Sequence, residues 1–155
     1  MTPKAYERLL ASIEIGRRIQ EAKAGYRKAI KKISGSASAI EFCGQHFKRL
    51  ILDALQEEFH IVTLDTKNQI IDSHQITVGT LDASLVHPRE VFRPAIKDAA
   101  SSILLAHNHP SGDATPSRED LAVTKRLEEV GKNIGIDVLD HIVLGTKCVS
   151  IQESR

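Results

Sequence analysis

A chain of 155 residues, 41% hydrophobic and 26% charged, is long enough for one domain with a substantial core and too short for two full ones. No apolar stretch approaches the roughly 20 residues of a membrane span, no secretory pattern opens the chain, and Cys43 and Cys148 lack CxxC spacing; the expectation is a reduced, cytoplasmic protein without a membrane partner. The net charge of +1 hides an asymmetry, since residues 1–33 hold nine Lys or Arg against three Glu and the remainder twelve against seventeen.

Residues 3–32 read as a helix, with Leu9, Leu10, Ile13 and residues 15–19 as an approximate apolar stripe and Gly16 and Gly25 as weak points. Its cations mix with Glu at helical spacing, as on a solvated face, although a basic arm also suits nucleic acid or another acidic surface. Ser34-Gly35-Ser36-Ala37-Ser38 is the clearest linker. It divides a basic helix and linker over 1–35 from a domain over 36–155. A second helix starts at one of these serines, buries Ile40, Phe42, Phe47, Leu50, Ile51 and Leu55, and ends near Gln56. Residues 58–65 read as a strand buried on both faces, Thr66-Lys67-Asn68 as a hairpin turn and residues 69–78 as the return strand. A short extended piece, Ser84-Leu85-Val86, leads through His87-Pro88 into a helix over about 88–100.

The apolar run Ile103-Leu104-Leu105-Ala106 then drives into His107 and His109. Such a run suits a buried strand, where side chains alternate, so the two histidines share a face while Asn108 points away. Their Cα atoms then lie roughly 6.5–7 Å apart, near enough for both rings to converge on one ion; on a helix the same spacing splays them about 200° apart. Pro110 stops the ladder, Ser111-Gly112-Asp113 supplies turn chemistry, and Pro116-Ser117 opens a helix over 117–133 closed by Gly135. Asp120, one turn into that helix, can return its carboxylate to the histidines, while Ser117 and Asp120 also fit the two ends of a capping box. Two neutral imidazoles and a carboxylate, with a fourth position left to water, is the ligand set of a catalytic zinc site. Residues 136–144, a Gly145-Thr146-Lys147 turn and residues 148–151 make a final hairpin, for a mixed sheet of five or six strands with helices around it.

His107-x-His109-Pro110 followed by Ser117-x-x-Asp120 resembles the JAMM motif of the MPN+ metalloproteases. The fuller string from His107-Asn108-His109-Pro110-Ser111-Gly112-Asp113 to Pro116-Ser117-Arg118-Glu119-Asp120 is similar to the RadC family in particular. So are Val86-His87-Pro88-Arg89-Glu90-Val91-Phe92 and Asp140-His141-Ile142-Val143. This resemblance covers about residues 36–155. Residues 8–18 resemble the segment that joins the family's N-terminal helix-hairpin-helix region to its catalytic-type domain, and the helix-hairpin-helix region itself is expected to be absent.

The resemblance implies a three-layer α/β/α fold similar to cytidine deaminases, a mixed sheet flanked by helices, with Zn²⁺ held by His107, His109 and Asp120. It implies a Glu on an earlier strand that activates the zinc-bound water; by position this matches Glu58, ahead of Glu57 and then Glu90. It also gives Ser117 the task of steadying a tetrahedral oxyanion. The implied activity is that of a zinc metallopeptidase-type hydrolase acting on amide or isopeptide bonds of a protein or peptide substrate, with homodimerisation left open. The alternative is a non-catalytic, DNA-repair-associated module that binds nucleic acid or protein, suggested by the family's traditional label and the basic arm. A nucleobase deaminase is disfavoured, because the H-x-E and P-C-x-x-C signature is missing. His87 and His141 match family positions but read as packed or hydrogen-bonded residues, and His46, His60 and His74 carry no assigned chemistry. Asp113 reads as turn chemistry, with substrate binding or the orienting of a ligand as the alternatives. Asn108 stands where the eukaryotic isopeptidases commonly have Ser or Thr, which fits the RadC pattern and leaves the substrate undefined.

Overall fold

A computed structural model describes residues 2–29, 32–79 and 86–155, with only the backbone described for residues 22–29. The chain divides into two compact units, Met1–Lys31 and Lys32–Arg155. The first is one helix, α1 (Pro3–Ala29). The apolar residues expected to form its stripe do not form a buried face: Leu9, Leu10, Ile13, Ile15 and Ile19 are all exposed, because they are distributed around the helix rather than along one side. Glu14 instead ties Arg17 and Arg18 at helical spacing.

In the second unit the single helix expected from one of the serines of 34–38 to near Gln56 is two, α2 (Ser36–His46) and α3 (Lys48–Leu52). Phe47 leaves helical geometry between them (φ −100°, ψ 25°) and sets its ring against His60, 4.9 Å between centroids. That break ends the predicted stripe early, and Leu55, expected in the core, is 94% exposed. β1 (Glu58–Leu64) is buried along its whole length and turns back into β2 (Ile70–Val78). In the turn Asn68 takes the left-handed conformation (φ 58°) that Asn tolerates, and the Asp65 carboxylate accepts the Lys67 and Gln69 N–H groups. Of the extended piece expected at 84–86, Ser84 and Leu85 lie outside the described residues. α4 (Pro88–Lys97) is capped by His87, whose Nδ1 accepts the Arg89 N–H. β3 (Ser102–Asn108), α5 (Arg118–Ile134), β4 (Asp137–Leu144) and β5 (Val149–Ser150) complete the unit.

The described strands form one sheet in the order β2-β1-β3-β4-β5. The β3/β4 pair alone is parallel, and α5 makes the crossover that a parallel pair requires. β1 faces β3 with Phe59 opposite His107 and Ile61 opposite Leu105, so residues of that parity share a side of the sheet. On that side Phe59, Ile61, Ile103 and Leu105 pack with Val91, Phe92 and Ala95 of α4 and Val123 and Leu127 of α5. Each large side chain buried there contributes about 1.5–3 kcal/mol to the fold. On the other side α2 lies over β4 and β5, Phe47 meets His60, and Asn108 reaches the Leu50 carbonyl. Two helices on one face and α2 with α3 on the other make the three-layer α/β/α arrangement. No described helix is long and apolar enough to cross a membrane.

Candidate metal centre

β3 delivers His107 and His109 to one face, as the alternation requires. His109 lies one residue past the strand but keeps its ladder bond, its N–H donating to the Leu144 carbonyl. The two Nε2 atoms are 3.0 Å apart. Asp120 returns from the first turn of α5, with Oδ1 3.2 Å from His107 Nε2 and Oδ2 3.3 Å from His109 Nε2. Ligand atoms about 2.0–2.1 Å from a tetrahedral ion stand about 3.3–3.4 Å from one another, so these separations suit one small divalent cation. Among the described residues this is the one cluster of three His, Cys, Asp or Glu groups positioned to hold a metal.

Capping and convergence coexist at Asp120. Ser117 caps α5 by accepting the Asp120 N–H at 3.1 Å, and Asp120 Oδ2 accepts the Ser117 N–H at 2.7 Å. The box aims the carboxylate back along the helix start, toward the end of β3, so the cap positions the third group. Burial pushes the Asp120 carboxyl up, but hydrogen bonding to His107 and His109 and the Ser117 N–H outweigh it and hold the group well below the carboxylate range.

The far nitrogens of both rings are also engaged. His109 Nδ1 lies 2.7 Å from the Asp113 carbonyl oxygen. The Asp113 carboxylate meanwhile accepts from the Thr115 N–H and hydroxyl, so this residue is turn chemistry through its side chain and a ring anchor through its backbone. The loop that presents it is shaped by Gly112 (φ +83°) and held by Gly145, where a Cβ would stand 2.5 Å from the Gly112 oxygen. His107 Nδ1 lies 2.8 Å from His141 Nε2, and His141 Nδ1 lies 2.6 Å from Thr124 Oγ1. Burial, then the neighbouring His107, pushes the His141 pKa well below that of a free imidazole, so it is neutral at pH 7. His109 is shifted the other way. The Asp120 side chain raises it, burial opposes, and the Asp113 carbonyl and the charge of Glu57 add to the rise.

The cluster opens on a cleft of about 400 Å³ lined by Glu57, His109, Pro110, Ser111, Ser117, Glu119 and Asp120. Of Glu57, Glu58 and Glu90, Glu57 is the one that lines it. The Gly79 N–H donates to the Glu57 carbonyl, so strand pairing runs one residue past β1 and Glu57 takes the parity of Phe59 and His107. Glu58 takes the parity of Asn108 and lies on the opposite face. There both its oxygens meet Arg49 Nη2, at 3.0 and 3.1 Å, and Oε2 meets His60 Nε2 at 3.0 Å. The placement of Glu58 beside His107, His109 and Asp120 is therefore corrected: an odd-even slip sends the carboxylate through the sheet. Glu90 is paired with Arg89 and Arg93 on α4 and is not in the cleft. A second cleft, about 450 Å³ between α4 and α5, is lined largely by Phe92, Ile96, Val130 and Ile134 with a basic rim, and gathers no metal-ligating set.

Asn108, between the two histidines, is buried on the far face. It accepts the Glu58 N–H at 2.7 Å and donates to the Leu50 and Gln56 carbonyls. It thereby ties the end of β3 to the backbone that carries Glu57. Thr124 and His141 had no signal as neighbours of the site in the sequence, beyond a histidine at a family position.

Residues 33–155 match the RadC-like JAB domain. A UPF0758 protein of Geobacillus sp. strain WCH70 is 48% identical over 153 residues, which cover 98% of this chain and 64% of that protein. Another, of Bacillus cereus strain B4264, is 47% identical over 146 residues, covering 94% and 62%. A third, of Listeria monocytogenes serovar 1/2a, is 45% identical over 151 residues, again covering 94% and 62%. The chain thus spans under two thirds of the length of these curated relatives.

Proposed function

Since the chain belongs to the RadC-like JAB domain family, we propose that it is a zinc-dependent hydrolase of amide or isopeptide bonds in a protein or peptide substrate. His107, His109 and Asp120 hold the ion, Glu57 carries the proton, and Ser117 assists. One observation carries this reading. Two imidazole nitrogens and a carboxylate meet at 3.0–3.3 Å on the wall of an open cleft whose lining, among the described residues, includes neither Lys nor Arg. Neutral imidazoles with one carboxylate suit Zn²⁺, and three protein ligands beside a cleft suit a catalytic rather than a closed structural site. When bound, the ion supplies Lewis-acid activation of water and of the scissile carbonyl.

The chain's own residues supply the rest. Glu57 lines the cleft together with His109 and Asp120, which supports its carboxylate as the group that takes a proton from the attacking water and returns it to the leaving amine. Ser117 Oγ accepts the Asp120 N–H, which leaves its hydroxyl hydrogen to be donated to the oxyanion that develops on the substrate. Glu58, bound to Arg49 and His60 across the sheet, takes no part. Among the described residues the cleft lining carries Glu57, Glu119 and Asp120 and neither Lys nor Arg, which disfavours a phosphate backbone at this site and favours polypeptide. Cys43 and Cys148 are free thiols, in keeping with a cytoplasmic setting.

The test is hydrolysis of a peptide library by the zinc-loaded chain, with and without a chelator. Glu57→Gln is expected to keep its zinc and lose about 10²–10⁴-fold in rate, and Glu58→Gln to keep both zinc and rate. Hydrolysis that survives complete zinc removal, or an undiminished rate in Glu57→Gln, would overturn the proposal.

A further inference from the structure

Behind His107, on the side away from the cleft, three hydrogen bonds run in series into α5. All three side chains are buried: His107 at 0% exposure, His141 at 1% and Thr124 at 2%. The direction of the series follows from its last member. The Asp120 backbone carbonyl can only accept, and Thr124 Oγ1 lies 2.6 Å from it, so the single hydroxyl hydrogen goes there. The same oxygen lies 2.6 Å from His141 Nδ1 and must therefore accept, which puts the His141 proton on Nδ1. His141 Nε2 is then bare, and His107 Nδ1, 2.8 Å away, is the donor to it. A neutral His107 with its proton on Nδ1 has a bare Nε2, which is the atom facing His109 and Asp120. His109 reaches the same state in one step, since its Nδ1 faces the acceptor-only Asp113 carbonyl.

We propose that Thr124 and His141 are positioning residues that lock His107 into the Nδ1–H tautomer and so keep its Nε2 lone pair available to a metal. This inference rests on the reading of His107, His109 and Asp120 as metal ligands. Asp120 then serves twice, its carboxylate as a ligand and its backbone carbonyl as the fixed end of the relay that orients another ligand. Phe59 holds the rings in place, stacked on His107 at 6.4 Å and edge-on to His141 at 5.4 Å between centroids. In this arrangement a helix residue that touches neither the ion nor the cleft governs how well the ion is held.

Thr124→Val keeps the shape and removes the hydroxyl. His141 then loses the acceptor that holds its proton on Nδ1, and a proton moved to Nε2 would turn His107 around and block its metal-facing nitrogen. Competition against a chromophoric chelator at pH 7.5 should show zinc affinity falling about 10–100-fold in Thr124→Val, the range for lost outer-shell partners, with Thr124→Ser restoring it. The visible spectrum of the cobalt-substituted protein should change in Val and return in Ser. A folded Thr124→Val that binds zinc as tightly as the wild type overturns the inference. Should Thr124→Val not fold, the histidine ¹⁵N shifts of the wild-type chain decide: Nδ1–H at His141 sustains the relay and Nε2–H overturns it. A wild-type chain that binds no zinc while His141 remains Nδ1–H would defeat the metal-site reading and, with it, any metal-directed purpose for the relay.

Discussion

Two histidine–carboxylate clusters sit back to back on the β1/β3 pair, and only one is suited to a cation. On the α5 side His109 Nε2 lies 3.3 Å from Asp120 Oδ2; on the α3 side His60 Nε2 lies 3.0 Å from Glu58 Oε2. The pairs are alike in residue type and spacing, and their strands are neighbours. The third group separates them. Glu58 meets Arg49, whose guanidinium has only donors to offer, so the carboxylate is neutralised and its lone pairs are used. Burial pushes the Glu58 carboxyl up, yet Arg49 and His60 together hold it below its ordinary value. Asp120 meets a second imidazole instead, and both imidazoles have their far nitrogens occupied by the protein. In this chain the acid beside a histidine pairs with a cation where the next neighbour is Arg49, and joins a candidate metal-binding set where the next neighbour is a second imidazole.

The harshest way to break this contrast is to remove the acid from the accepting cluster. Asp120→Ala deletes a proposed ligand and the acceptor of the Ser117 N–H together. Zinc affinity should fall by more than about 100-fold, beyond the range for outer-shell partners, with about 1 kcal/mol of stability lost from the cap. Asp120→Asn separates the two effects, since an amide oxygen can keep the cap while the charge is gone. Metal analysis of the dialysed variants checks both, and one zinc per chain in Asp120→Ala would remove Asp120 from the ligand set.

Asn108 is where the two clusters are joined, and its loss should come next in size. Asn108→Ala strips the partner from the buried Glu58 N–H and from the Leu50 and Gln56 carbonyls. Unmade buried bonds of this kind cost about 1–3 kcal/mol each, and with solvent reaching part of the loop about 2–3 kcal/mol in all is expected by urea denaturation. Zinc affinity should hardly change, because both histidines keep their own anchors. A large loss of zinc affinity in a folded Asn108→Ala would mean that the two faces are not independent.

The parts of this site visible in the sequence were those fixed by neighbours along the chain. The buried run 103–106 and the one-residue spacing of His107 and His109 place both rings on one face through strand alternation alone, and they converge. Ser117 and Asp120 are three apart at a helix start, and their capping box is local too. The choice between Glu57 and Glu58 was of another kind. Each has a definite parity in β1, but which parity shares a face with His107 depends on the register between β1 and β3, some fifty residues apart. The links from Thr124 to His141 and from His141 to His107 were out of reach for the same reason, since they join residues 17 and 34 apart. In the fold, Phe47 sits at the helix break with its ring against His60, a tertiary contact that no helical periodicity announces.

The smallest effect concerns the donating cluster and is read from pH. Burial, the larger influence, lowers the His60 pKa, and the neighbouring Glu58 only partly restores it. The folded chain therefore keeps His60 neutral after an unfolded chain, with a pKa of about 6.5, has begun to take up its proton. A group depressed in this way contributes stability above the unfolded value and loses it as pH falls through the folded one. Between pH 7 and 5 the wild type should therefore lose stability relative to His60→Gln, in which this position cannot titrate. Because Glu58 offsets part of the effect of burial, the difference is expected to be about 1 kcal/mol or less. His141 titrates alike in both proteins and drops out of the comparison. Urea midpoints measured across that window should converge or cross as the pH is lowered. If the two curves instead stay parallel, His60 is not held neutral by burial, and the donating cluster responds to pH through Glu58 alone, at the lower pH where a carboxylate protonates.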